Sequence, residues 1–133
     1  MSELVHVASW QIQCCGDEFA VGDEVSWPVL PVSRADPFWE PLLGPDLAAR
    51  LWGSYEGHGE VPPQVSGRVR GIRTVACLMA PRPGDPEPGS RQVVPGTVRL
   101  EPVDAIEKWY DLDGDPSGLI FCGWLVDLDL STG

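Results

Sequence analysis

Apolar residues alternate with polar or small ones over two long stretches of the chain, and these stretches set its expected architecture. From Val65 to Met79, the residues Val65, Gly67, Val69, Gly71, Val75, Cys77 and Met79 share one side, while Arg68, Arg70, Thr74 and Ala76 lie mostly on the other. A period of two marks a half-buried strand. Ile72 and Arg73 interrupt it beside Gly71, where a bend is expected. From Leu119 to Leu130, Ile120, Cys122, Trp124, Val126, Leu128 and Leu130 fall on one face. The first half of that strand is apolar on both faces, which places it centrally, and Asp127 and Asp129 mark its wet end.

The N-terminal third carries a weaker version of the same pattern. Leu4 to Gln13 reads as a first strand with a bulge or bend near Ala8-Ser9, because Val5 and Val7 are in one phase and Trp10 and Ile12 in the other. Cys14-Cys15-Gly16-Asp17-Glu18 reads as a turn. The run Phe19-Ala20-Val21-Gly22-Asp23-Glu24-Val25-Ser26-Trp27 opens the next strand, which extends to about Val32. Gly22 tolerates a positive φ and Asp23 can bond its own nearby backbone, the chemistry of a tight turn. Pro28 directs that strand toward a sheet edge or a bulge.

From Ser33 to Pro63 the alternation stops, and the segment reads as an insertion with one short helix. Pro45 suits a first helical position, Asp46 the positive end of the dipole and Gly53 the C-terminal stop. Leu47, Leu51 and Trp52 then share a face, so the helix is expected over Pro45 to Trp52. Phe38 and Trp39 anchor its approach. Residues 80–90 are so rich in proline and glycine that they read as a mobile surface loop. Gln92 to Val94 and Thr97 to Val103 give a further strand or a broken pair. Asp111 to Gly118 reads as a turn. The whole is one domain, 1–133: a mainly β, small barrel of five to six strands. An SH3-like barrel is the first expectation and an OB-like barrel the second, since the helix of the latter follows the third strand.

The segment Trp10-Gln11-Ile12-Gln13-Cys14-Cys15-Gly16-Asp17-Glu18-Phe19-Ala20-Val21-Gly22-Asp23-Glu24-Val25-Ser26-Trp27 resembles a family of small actinobacterial proteins of unknown function. Gly67-Arg68-Val69-Arg70-Gly71-Ile72 and Gly123-Trp124-Leu125-Val126-Asp127-Leu128 are similar to its later strands. The likeness covers the strands but neither the helix nor the Pro-rich loop. It implies a fold and a lineage, and no activity.

Charge narrows the choice of partner. Twenty acidic and nine basic residues give a net charge of -11. Such a surface repels nucleic-acid phosphates and anionic membranes and favours a basic partner. Eight Arg against the single Lys108, with no Asn, reflect codon bias rather than a salt-bridge design. No stretch approaches the ~20 apolar residues of a membrane span. Four Cys without a secretion signal point to a reduced, cytoplasmic protein.

Candidate chemistry is sparse. Cys14, Cys15 and His58 could ligate zinc, with His6, Cys77 or Cys122 as a fourth donor. Adjacent cysteines lack the spacing of a zinc knuckle, however. Asp111, Asp113 and Asp115 alternate like a calcium loop but lack its glycine and closing glutamate. No serine sits in a Gly-x-Ser-x-Gly elbow and only His6 and His58 could act as bases, so an enzyme is not expected. His6 reads as packed in a strand or exposed at its edge. Trp39 and Trp52 in the insertion, with Arg68 and Arg70 on the outward face of the long strand, are the candidate partner-binding residues. The expectation is a non-catalytic protein-binding module without a cofactor. A zinc-supported structural or regulatory domain is the alternative, and an acidic, immunity-type inhibitor of a basic protein is a further one.

Overall fold

A computed structural model of the chain describes residues 2–32, 36, 38–57, 64–81, 91–110 and 116–130, leaving aside the side chains of residues 15 and 91. The strands are β1 (Ser2–Ala8), β2 (Glu24–Pro31), β3 (Leu51–Tyr55), β4 (Gln64–Cys77), β5 (Met79–Pro81), β6 (Arg91–Val93), β7 (Arg99–Val103) and β8 (Ile120–Leu130). Three short helices join them: α1 (Ser9–Cys15), α2 (Trp39–Leu43) and α3 (Pro45–Arg50). Five strands close a barrel in the order β1, β8, β4, β2, β3 and back to β1. Every neighbouring pair is antiparallel except β1 and β3, which run parallel. β7 adds to the outside of β4, and β5 and β6 form a separate two-stranded ribbon. The mainly β barrel expected from the alternation is therefore present, with a mixed wall. Among the described residues, no helix is long and apolar enough to cross a membrane.

The long strands take the places their patterns assign. β4 pairs with β2 through Gln64–Arg68 and with β7 through Ile72–Ala76, and its register against β8 shifts between Val69 and Gly71. The interrupted alternation at Gly71 is thus the bend where β4 passes from one partner to the other. β8 lies between β1 and β4, which is why it is apolar on both faces. Pro28 sits where β2 leaves β4 for β3, so its missing N–H falls at the hand-over.

Two expectations are corrected. The first strand stops at Ala8, and Ser9–Cys15 is helical rather than strand and turn. The reason is a close backbone contact. Gly123 lies opposite Ala8 with φ 151°, and a Cβ there would strike the Val7 carbonyl oxygen and the backbone of Ala8 and Ser9. The chain can press against Gly123 and turn over the barrel end, where Ile12 is buried. Second, the helix beginning at Pro45 ends at Arg50, because Leu51–Tyr55 is taken up between β1 and β2 as a wall strand. Leu51–Tyr55, expected within the insertion 33–63, is therefore a strand of the barrel wall. The turn at Gly22 has the expected chemistry, with φ 96° and the Ala20 N–H donating to Asp23 Oδ2 at 2.9 Å. It leads into β2, while Phe19–Ala20 bonds to residues near Ala105. The Pro-rich loop lies outside the described residues except for Ala80 and Pro81, which belong to β5.

Two cores result. Val5, Val7, Trp27, Val69, Trp124, Val126 and Leu128 fill the barrel. On its outer face Leu4, Leu51, Val75, Cys77 and Leu125 are covered by Leu42 and Leu43 of α2. Burying two leucines contributes roughly 1.5–3 kcal/mol each, enough to hold a five-residue helix that could not persist alone.

Candidate functional site

The outer core has a gap at one end. β1 places His6 beside Leu4 on the outer face, and the Phe38-Trp39 start of α2 reaches over it. Their rings stack edge to face, His6 to Trp39 at 5.1 Å and Phe38 to Trp39 at 4.9 Å. Beside them a cavity of about 350 Å³ is bounded by Trp10, Phe38, Trp39, Tyr55 and Phe121, with His6 also on its wall. Trp10, Phe38 and Ile120 stand at its mouth, exposed by 52%, 47% and 41%.

Gln11 fixes one side of the cavity. It is 2% exposed, donates from Nε2 to Glu56 Oε1 at 2.9 Å, and accepts the Gly57 N–H on Oε1 at 3.1 Å. The amide thus ties α1 to the end of β3, and each half of it meets a complementary group. His6 has no such support. It is 4% exposed, and neither Nδ1 nor Nε2 has a hydrogen-bond partner among the described residues. Burial lowers its pKa to about 4, so the ring is neutral at pH 7 and presents one N–H and one bare nitrogen.

Cys122 also borders the cavity, but its sulfur is turned into the wall. It lies 3.4 Å from Cys77 Sγ and 3.4 Å from the Ile120 carbonyl oxygen. The hydrogen bond between the thiols holds the Cys77 pKa down and pushes that of Cys122 up, and burial adds to the second shift. Either thiol can donate to the other, and the raised pKa makes Cys122 a poor nucleophile.

The structure separates the other residues singled out by sequence. Trp39 borders the cavity, whereas Trp52 is the extra residue of a bulge, since Leu4 pairs with Leu51 and Val5 with Gly53. Trp52 is 37% exposed and lies apart from the cavity lining. Arg68 pairs with Glu24 at 2.9 Å and Arg70 with Asp129 at 3.4 Å. Both are exposed pairs of the kind worth about 0–1 kcal/mol. Cys14 is disulfide-bonded, so its sulfur, 3.5 Å from the Gln11 carbonyl oxygen, has no proton to donate. His58 and Asp111, Asp113 and Asp115 lie outside the described residues. Among the described residues, no group of three or more His, Cys, Asp or Glu side chains could hold a metal ion.

The sequence singles out nothing at Gln11, and names His6 only as a possible fourth zinc donor or base rather than as a wall of this cavity. The available signal was phase: Leu4 and His6 share a face opposite Val5 and Val7, so a strand buried on both faces had to bury His6 as well.

A second concavity, about 310 Å³, lies at the other side of Tyr55. Asp17, Glu18, Asp23 and Glu24 rim it over Phe19 and Trp27. Three of these carboxylates are engaged within the chain, Glu18 by the Lys108 N–H, Asp23 by the Ala20 N–H and Glu24 by Arg68.

The fold and site define a small mixed β-barrel with an aromatic-walled cavity against its outer face. The chain belongs to a family of unknown function, DUF6578, whose model matches residues 1–130. No curated protein and no solved structure matches it.

Proposed function

We propose that the protein is a non-catalytic binding module that captures another protein with the cavity face. One observation carries this reading: Trp10, Phe38 and Ile120 are exposed together around a single aromatic-walled cavity. Clustered exposed aromatics are the usual anchors of protein interfaces, whereas apolar residues scattered singly need no explanation. The thiol at the cavity wall, Cys122, lies against Cys77 and has a raised pKa, which suits packing better than nucleophilic attack.

The test replaces Phe38 or Trp10 by a photo-crosslinking aromatic residue in the native host. Trp109, which is 71% exposed and not part of the cavity lining, is the control. A discrete adduct from the first two positions and none from Trp109 is expected. No adduct, or the same adducts at all three positions, ends the reading.

The acidic concavity favours a second reading, an inhibitor of a basic protein. Capture would then be lost with Asp17→Lys and weakened steeply by salt, and untouched by changes at Phe38.

A further inference from the structure

His6 is the unexplained group of this molecule. Burying a polar side chain without a hydrogen-bond partner costs on the order of 1–3 kcal/mol, and a leucine would fill the same face of β1 without that cost. A buried, unpartnered imidazole beside a cavity is therefore better understood as half of an interaction.

The cavity selects the other half. A single water needs about 10–15 Å³ of such space. The 350 Å³ here is room for a ring. Five aromatic side chains form its walls, and rings prefer rings in edge-to-face or offset contact, by about 0.5–1.5 kcal/mol per pair beyond burial. An anion is disfavoured by Glu56 at the cavity wall, by an uncharged His6 that offers no counter-charge, and by the net charge of -11. An ammonium only donates, so it can meet the bare nitrogen and never the N–H. A hydroxyl both donates and accepts, and can meet either nitrogen of a neutral imidazole.

We propose that the cavity is a binding site for a phenol ring, with its hydroxyl hydrogen-bonded to His6 and its ring held among Trp10, Phe38, Trp39 and Phe121. The proposal rests on the cavity face being the binding face, and names what enters it. Trp39 and the imidazole pack edge to face, and each His6 nitrogen exposes less than 1 Å². The entering ring therefore displaces Trp39 from beside the imidazole, and the Trp39 indole N–H is the natural reporter. The phenol can come from a tyrosine of a partner protein or from a free phenolic compound.

The experiment is a nuclear magnetic resonance titration of the full chain, following indole N–H signals. The ligands are p-cresol, toluene and N-acetyltyrosinamide. p-Cresol is expected to shift the Trp39 signal saturably, at roughly tenfold lower concentration than toluene, the factor one good hydrogen bond supplies. In His6→Phe that preference falls to about twofold or less, and in His6→Gln, which keeps a donor and an acceptor, it is partly retained. A p-cresol titration without saturation, or equal affinity for p-cresol and toluene in the unaltered protein, overturns the proposal whether or not the variants fold. N-acetyltyrosinamide binding more tightly than p-cresol supports the site with a protein-borne tyrosine as its source, and weaker binding supports it with a free phenol. Crosslinking at Phe38 without p-cresol binding removes the phenol site and leaves partner capture standing. Binding of p-cresol without crosslinking does the reverse.

Discussion

At the scale of single residues, His6 makes the most specific demand on experiment. Its pKa is lowered from 6.5 to about 4 by burial, so between those values the unfolded chain takes up a proton that the folded chain refuses. Stability is therefore complete above pH 6.5 and falls as the pH drops toward 4. Every tenfold difference in proton affinity between the two states is worth about 1.4 kcal/mol, which makes the loss on the order of 2–3 kcal/mol by about pH 4.5. Urea unfolding of the unaltered protein and of His6→Leu at about pH 7.5 and about pH 4.5 measures it, because the contribution of the many carboxylates is common to both. The variant should lose less by roughly that amount. Equal losses would mean that the imidazole is not sealed in the fold. At neutral pH the same substitution should leave stability unchanged or raise it, as expected where a residue is kept for binding rather than for packing. Gly123 is the opposite case. Its φ of 151° and the nearness of the Val7 carbonyl oxygen leave no room for a Cβ, so Gly123→Ala should cost on the order of 3 kcal/mol or more, read by the same unfolding experiment.

At the scale of elements, the tryptophans separate wall from rim. Trp124 is 1% exposed inside the barrel, Trp39 is half-buried over the outer core, and Trp52 projects from a bulge. Trp124→Ala should cost about 3–5 kcal/mol. Trp39→Ala should cost an intermediate amount, and Trp52→Ala well under 1 kcal/mol. Comparable destabilisation by all three would make the rim part of the core and remove Trp39 as a binding residue. The same elements show what the sequence could convey. β4 and β8 were legible because 11 to 14 residues of alternation outweigh any local irregularity. β3 was not, because its five residues carry Gly53 and the bulged Trp52, follow directly on a helix, and owe their extended form to β1 and β2 on either side. α1 was hidden for a related reason. It has no side-chain cap, and its start is set by Gly123, more than a hundred residues away in the chain. The parallel pairing of β1 with β3, and with it the strand order of the barrel, depends on such distant contacts. The candidate site was legible only in its parts, through Trp39 and the strand phase of His6. Its assembly from β1, α1, α2, β3 and β8 lies in the tertiary structure.

At the scale of the whole molecule, the two cores are unequal in how they are closed. The barrel interior is bounded by a continuous ring of paired strands, whereas the outer core is covered by α2 and α3, two short helices hinged at Gly44 with φ 84°. Leu42 and Leu43 hold that cover, and no strand ladder does. Opening it exposes the outer core and the His6 cavity while the barrel hydrogen bonds remain intact. A local opening of this kind is expected to lie below the global unfolding free energy, as segments with few ladder bonds do. Native-state hydrogen exchange with rising urea tests this through individual amides. The Gly44 N–H, bonded to the Glu40 carbonyl at 2.8 Å, reports the cover, and amides of Val5 and Val126, paired across β1 and β8, report the barrel. Val5 and Val126 should exchange only with global unfolding, with a steep dependence on urea. Gly44 should exchange at a free energy lower by about 2 kcal/mol or more, with little dependence on urea at low concentration. If p-cresol fills the cavity, it should slow exchange at Gly44 and leave the barrel amides on their own isotherm until the two merge. Coincident isotherms for all three amides without ligand would show that cover and barrel are one cooperative unit, so that a ring reaching His6 must do so through the mouth at Trp10, Phe38 and Ile120 without the cover opening.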